Sequence, residues 1–370
     1  MIIITTQCFA PKIGGIESLM TGMAEALSNL GKEVLVLADG PKQKSDNDQN
    51  YKIKRFNTWK PIRRIQKARY LKKIIHTNKV DSIFADSWKS IESITFTFDR
   101  IVVLAHGTEI PKKEYKYFNG VQNYKINRIK KSYNKVYSII ANSNYTKELI
   151  IDSLGINESK IRIVHPGIDL YETKIDDNDV IEIKKLIDQK KPVILTLARL
   201  EERKGHKFII KAISEIIHKF PNLLYVIAGR GPYEKNLRDY AQELNVFKNI
   251  IFLGWITEPE KSVLLNLSDV FAMTPIEVGE SVEGFGMVYI DAAFHGLPTL
   301  GSNSGGISDA IINNETGILC TSGNQSEITK NLEKLLTDKE LCLRLGSRGK
   351  ELAFEKHTWK SKINEYLDIN

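Results

Sequence analysis

Short, nearly continuous apolar runs separated by helix-length segments recur along this chain, and no other feature narrows its fold as far. The first series lies at residues 2–5, 33–38, 82–85, 101–105, 137–141 and 161–164. Apolarity that does not alternate marks strands buried on both faces, as in a parallel sheet covered by helices. Pro166-Gly167-Ile168-Asp169 and the acidic stretch Asp176-Asp177-Asn178-Asp179 interrupt the pattern. A second series follows at 193–198, 223–228, 250–253, 270–273, 299–301 and 318–320. A chain of 370 residues also exceeds one ordinary core. The expected fold is therefore α/β, with two doubly wound, Rossmann-like parallel-sheet domains at 1–168 and 190–356. A C-terminal helix at about 357–370 is expected to return to the first domain. In such sheets ligands gather outside the carboxyl ends of the strands, so candidate residues are sought there.

The richest of these ends is Ser-Val-Glu-Gly-Phe-Gly-Met-Val-Tyr-Ile-Asp, residues 281–291. Glu283 opens a turn through Gly284, Phe285 and Gly286, and a helix is expected from Met287 to His295. The glycines allow close backbone approach, and the helix aims unpaired N–H groups at the same place. Asp291 stands about two helical turns beyond Glu283. Carboxylates beside free amides suit a ligand that is both polyhydroxylated and anionic, as a sugar nucleotide is. A glycine-hinged core helix with solvated acids is the plainer alternative. Arg199-Leu200-Glu201-Glu202-Arg203-Lys204-Gly205 follows the strand at 193–198, and Arg199 and Lys204 can converge on a diphosphate, with an ordinary solvated basic turn as the plainer alternative. Gly229-Arg230-Gly231-Pro232 makes a sharp strand exit with room for a nucleotide, and Ser304-Gly305-Gly306 is a further glycine loop before a helix. In the first half, Gly14-Gly15 precede a helix running to about Asn29 and read either as a phosphate loop without dinucleotide-type spacing or as a plain helix-entry turn. His106 ends the run at 101–105, where a structural histidine is the plainer alternative to one beside a ligand.

Charge divides the halves. Residues 1–180 hold 29 Lys and Arg against 20 Asp and Glu, and the remainder hold 24 against 25, within a net charge of +8. Residues 52–79 alone carry eleven Lys or Arg and no acid. A helix from Pro61 to Ile75 would place Arg63, Arg64, Lys67, Lys72 and Lys73 beside an apolar stripe of Ile62, Ile65, Ala68, Leu71 and Ile74, with Trp59 at its entrance. A second basic tract, 112–135, is interleaved with Tyr115, Tyr117, Phe118 and Tyr124. An ordinary crossover helix, its stripe packed on the sheet and its basic face solvated, is the plainer alternative, but basic residues with interfacial aromatics suit an anionic membrane surface, and suit it better than nucleic acid. No run is long enough to span a bilayer, no leader is expected before the strand at residue 2, and the three cysteines form no zinc or disulfide pattern. A cytoplasmic protein, peripheral on the inner membrane face, is expected.

In order and spacing these motifs resemble the GT-B retaining glycosyltransferases called family 4, or glycosyl transferases group 1. The resemblance runs from Gly14-Gly15 through His106-Gly107, Ala141-Asn142-Ser143, His165-Pro166-Gly167-Ile168-Asp169, Arg199 to Gly205, Gly229 to Pro232 and the Glu283-to-Asp291 block. It ends at Trp359. It implies an acceptor-side first domain and a sugar-nucleotide-binding second domain, facing a central cleft. Glu283 would contact donor-sugar hydroxyls, with Gly284 and the amides of Phe285, Gly286 and Met287 beside it. Asp291 would bind ribose, one methylene shorter than the family's Glu. Arg199 and Lys204 would hold the diphosphate beside Gly229, Gly14 and Gly15 would lie near the sugar-side phosphate, and His106 near the reacting face.

The implied reaction retains anomeric configuration and uses no metal or other cofactor. A hexose-type donor is expected, UDP-sugar before GDP-sugar. The acceptor hydroxyl is expected on a membrane lipid or lipid-linked glycan, with a soluble acceptor as the alternative. A sugar-nucleotide epimerase would need a ring-proton base and a phosphorylase a cofactor lysine, and neither is identifiable. A non-catalytic sugar-binding protein is the remaining rival.

Overall fold

The computed structural model describes residues 1–112, 120–168, 177–187 and 191–368. It divides into two compact units, Met1–Asp169 with His357–Asn370, and Leu170–Lys356.

The first unit alternates β1 (Ile2–Thr6), α1 (Gly15–Asn29), β2 (Val34–Asp39), β3 (Lys52–Phe56), α2 (Lys60–Thr77), β4 (Ser82–Ala85), α3 (Trp88–Ile91), β5 (Ile101–Ala105), α4 (Gly120–Asn134), β6 (Ser138–Ala141), α5 (Asn144–Leu154) and β7 (Ile161–Ile163). The sheet order is β3-β2-β1-β4-β5-β6-β7, and every pairing is parallel. Successive side chains enter opposite cores, as strand pleating requires. Ile3 packs with Ile83, Val103 and Trp88, while Ile4 packs with Met20, Val36 and Phe84. β3 is absent from the expected strands because its sequence, Lys-Ile-Lys-Arg-Phe, is basic and alternating. It occupies the sheet edge, where one side faces water and lysines are tolerated.

The second unit runs α6 (Asp177–Ile187), β8 (Val193–Leu197), α7 (His206–Ile216), β9 (Leu224–Ala228), α8 (Glu234–Glu243), β10 (Ile250–Gly254), α9 (Glu258–Leu267), β11 (Val270–Ala272), α10 (Met287–Phe294), β12 (Thr299–Asn303), α11 (Ile307–Ala310), β13 (Gly317–Thr321), α12 (Gln325–Thr337) and α13 (Lys339–Lys356). Its parallel sheet has the order β10-β9-β8-β11-β12-β13. The final helix, α14 (Trp359–Leu367), packs against α1 of the first unit through a core containing Trp359, Ile363 and Tyr366. Both sheets are thus doubly wound and parallel, as the apolar runs indicate. Strand order reverses between β1 and β4 in one unit and between β8 and β11 in the other. Loops leaving the carboxyl ends there diverge to opposite faces and leave a crevice for a ligand.

Candidate active site

The loop leaving β8 and the segment leaving β11 meet at the switch point of the second unit, and they carry opposite charges. Glu283 Oε2 accepts from Lys204 Nζ at 2.5 Å and from Arg203 Nη1 at 3.1 Å. The three side chains are only 16%, 11% and 17% exposed, respectively. Arg203 Nε donates to Glu201 Oε2 at 2.9 Å, and Arg199 Nη1 lies 3.0 Å from Glu201 Oε1. The result is a ladder of alternating charge from Arg199 through Glu201, Arg203 and Glu283 to Lys204, with one more cation than anion. Burial pushes the Glu283 carboxyl up, but Lys204 and then Arg203 outweigh it and hold the carboxyl below its ordinary value. Glu283 is therefore ionised at neutral pH, while Arg199, 73% exposed, keeps most of its fork in solvent.

Backbone packing fixes Glu283. Gly305 has φ 59°, and a Cβ there would stand 2.1 Å from the Glu283 carbonyl oxygen. The next residue, Gly306, donates its N–H to that same oxygen at 2.9 Å. The loop before α11 thus clamps the main chain of Glu283, with Gly305 supplying the left-handed geometry that a Cβ would strain. Gly286 caps α10, and Phe285 is buried beneath it. Gly229 serves a similar close approach, since its Cβ would meet the Ala198 carbonyl oxygen at 1.9 Å. Its requirement is thus the packing of the β8 and β9 exits, a structural reason that the sequence does not display.

Asp291, on α10, has its own cation. Lys261 Nζ of α9 lies 3.7 Å from Asp291 Oδ1 and 2.6 Å from Glu258 Oε2. Burial raises the Asp291 carboxyl above its ordinary value, and Lys261 only partly offsets this. The two acids of the 281–291 block are therefore shifted in opposite directions, Glu283 down by its cations and Asp291 up by burial. Sequence reasoning misses Arg203, Glu201 and Lys261. The first two stand inside the quoted run between Arg199 and Lys204, where spacing alone does not say which cation turns inward. Lys261 is 30 positions from its partner Asp291, with no local pattern linking them.

In the first unit, His106 is buried, and its Nε2 lies 2.8 Å from the Asp86 carbonyl oxygen. A carbonyl only accepts, so Nε2 is the donor in this contact. The Asp86 carboxylate is held by Thr6, Gln7 N–H, Ser87 and Ser90. At the mouth of α1 nothing stands within 4 Å of where a Gly15 Cβ would project. Beside Gly14, however, the Glu17 carboxylate already supplies negative charge. A phosphate would have to share that mouth with it.

The basic helix requires a correction. Arg63 Nε lies 2.8 Å from Asp39 Oδ2, and the buried Lys67 donates to Asp39 Oδ1 at 2.9 Å and to the Thr6 carbonyl at 2.7 Å. Arg64 Nη1 reaches Glu92 Oε2 at 3.1 Å. The acids come from the end of β2 and from beyond α3, so the absence of acid in 52–79 did not leave these three cations exposed. Of the five named, Lys72 and Lys73 face solvent. The apolar stripe divides too. Leu71 is buried, whereas Trp59, Ile62 and Ile65 are 73%, 48% and 48% exposed. Tyr115, Tyr117 and Phe118 lie outside the described residues. Among those described, no helix is long and apolar enough to cross a membrane.

Comparison with known proteins agrees with this arrangement. Residues 177–352 match the family described as Glycosyl transferases group 1, and residues 13–172 match Glycosyltransferase Family 4. The chain is similar to the GDP-mannose-dependent alpha-(1-6)-phosphatidylinositol monomannoside mannosyltransferase of Mycolicibacterium smegmatis, at 24% identity over 98% of this chain and 96% of that protein. With the Mycobacterium tuberculosis protein of the same description it shares 28% identity, over 61% of this chain and 60% of that protein's length. In fold it is similar to Anabaena Alr3699/HepE solved with UDP, with a TM-score of 0.78 at 19% identity over 99% of this chain and 98% of that one.

Proposed function

The chain belongs to the group 1, family 4 glycosyltransferases, and from that premise we propose that it transfers a hexose from a nucleoside diphosphate sugar to a hydroxyl of a membrane lipid or lipid-linked glycan, with retention of anomeric configuration. The observation that carries this reading is the buried, ionised Glu283 held between Lys204 and Arg203 before α10. An ionised carboxylate fixed by charge accepts hydrogen bonds from sugar hydroxyls. The surplus cation of the ladder awaits an anion, and a diphosphate supplies one. Arg199 exchanges an exposed, weak ion pair with Glu201 for a bidentate phosphate contact. Lys204 then stabilises the charge that grows on the leaving diphosphate.

Protein cations neutralise that charge, so the reading requires no divalent metal. Retention follows if the acceptor hydroxyl attacks from the face the diphosphate leaves, with no glycosyl-enzyme intermediate. UDP-hexose remains the expected donor. GDP-mannose stands beside it because relatives aligned over nearly the whole chain are described as GDP-mannose-dependent. The lipid acceptor draws support from the phosphatidylinositol-linked acceptors in those same descriptions and from the exposed Trp59, Ile62 and Ile65 with the solvent-facing Lys60, Arg69, Lys72 and Lys73. An apolar wedge ringed by cations suits the surface of an anionic leaflet. The test is transfer from UDP-glucose and GDP-mannose to a membrane lipid extract in excess chelator, with the product's anomeric configuration read by NMR. Inverted product, or transfer abolished by chelator and restored by metal, contradicts the reading.

A further inference from the structure

A cavity lies at one end of the first unit's sheet. It opens at the amino-terminal ends of β5 and β6, whereas His106 follows the carboxyl end of β5. Its volume is about 960 Å³, within the range of ligand-sized pockets. One wall is a stripe along and just beyond α4, formed by Tyr124, Arg128, Lys131 and Lys135 at intervals of four, three and four residues, which share a helix face. The other is residues 94–99, with Phe96 and Phe98 half-buried against the core. Val136 is buried at its base and Tyr137 is 48% exposed.

The charge of this groove is not balanced from within. Glu92 is engaged by both Arg128, at 2.5 and 2.8 Å, and Arg64, at 3.1 Å. Lys135 Nζ donates to the Glu92 and Ile94 carbonyl oxygens at 3.1 Å each. Burial lowers the Lys135 pKa, and the neighbouring charge of Lys131 lowers it further. Among the described residues, Asp99 is the other acid of the lining. Three cations therefore face one shared and one rim carboxylate, above aromatic and aliphatic walls. A free anion would leave those walls wet, and a neutral lipid would leave the cations unanswered.

We propose that this groove binds one anionic amphiphile, its acyl chain against Phe96, Phe98 and Tyr137 and its phosphate at Lys131 and Lys135. The groove lies at the opposite end of β5 from His106 and would tether the first unit to a particular lipid rather than to the leaflet at large.

Calorimetry on the whole chain tests it with dihexanoyl phosphatidic acid, dihexanoyl phosphatidylcholine and inorganic phosphate, each below any micelle concentration. Phosphatidic acid should bind at one site, and phosphatidylcholine about tenfold more weakly or worse, because it lacks net charge. Lys131→Ala should weaken phosphatidic acid binding about fivefold to tenfold, the scale of one exposed charge-assisted contact. Thr97→Trp, which plugs the groove from an exposed position, should abolish it. Circular dichroism verifies the fold of each variant, and sugar transfer to a solubilised acceptor should be unchanged in both. Equal binding of the two lipids, or affinity unaffected by both variants, overturns the proposal. So does displacement by millimolar inorganic phosphate, which would make this a free-anion site. A dimer in sedimentation that Thr97→Trp breaks, without lipid binding, would instead show the groove to be an interface between copies.

Discussion

Replacing Glu283 by Gln keeps the side chain's shape and removes its charge. In the wild type one oxygen accepts from Lys204 at 2.5 Å and from Arg203 at 3.1 Å. Hydrogen bonds to charged groups contribute about 1.5–3 kcal/mol, against about 0.5–1.5 for neutral ones. The amide oxygen still accepts, so each bond loses roughly 1 kcal/mol, and Arg203 keeps Glu201 at 2.9 Å. A net destabilisation of about 2 kcal/mol should lower the melting temperature by roughly 4–8 °C for a unit of this size. Turnover should fall much further, by about two to three orders of magnitude, because the lost group acts where transition-state charge develops. Nucleoside diphosphate release, measured where circular dichroism shows both proteins folded, separates the two effects. The pH dependence adds a check. The folded Glu283 carboxyl lies below its ordinary value, so its stabilisation is complete above that ordinary value and is lost as pH falls through the folded one. The stability gap between wild type and variant should therefore persist at pH 5 and close only in stronger acid. Turnover within a few-fold of wild type would refute the role of Glu283, and an unchanged melting temperature would refute the energetics.

Arg199→Ala and Lys204→Ala should each weaken nucleoside diphosphate binding by about 1.5–3 kcal/mol in calorimetry, with Lys204→Ala also losing stability because Glu283 is buried against it; unchanged affinity in both would return this loop to an ordinary basic turn. Asp291→Asn should weaken donor binding yet melt no lower than wild type at pH 8. The Asp291 carboxyl is raised by burial, so its ionisation opposes folding at high pH and that cost fades as pH falls; a clear drop in melting temperature at pH 8 would contradict this. In vesicle co-sedimentation, charge removal at Lys60, Arg69, Lys72 and Lys73 should reduce binding to anionic vesicles at low salt, and Trp59→Ser should reduce it at any salt. Charge removal at Arg63, Arg64 and Lys67 should instead lower stability, and a selective loss of anionic-vesicle binding there would contradict their inward pairing.

The fold was legible because parallel strands buried on both faces leave uninterrupted apolar runs. The basic edge strand β3 left none and went unread. Of the candidate site, the 281–291 block could be read locally, since turn glycines, a carboxylate and a helix start are neighbours in sequence. Contacts set by topology could not. Gly305 clamps Glu283 from 22 positions away, and Lys261 meets Asp291 across two helices. The basic helix misled for the same reason. Asp39 and Glu92, which pair Arg63, Arg64 and Lys67, are supplied by the end of β2 and the residue after α3. A charge run reports composition, while exposure depends on what the fold places opposite it.

The central claim is that this chain transfers a sugar from a nucleotide donor through the charged ladder around Glu283. Its most direct test offers the purified protein a panel of UDP-, GDP- and ADP-hexoses, with and without membrane lipid extract, and measures nucleoside diphosphate release alongside Glu283→Gln. One donor should be consumed, faster with lipid, and the variant should be slower by about two to three orders of magnitude. Consumption of none of them, or equal consumption by the variant, would contradict the account.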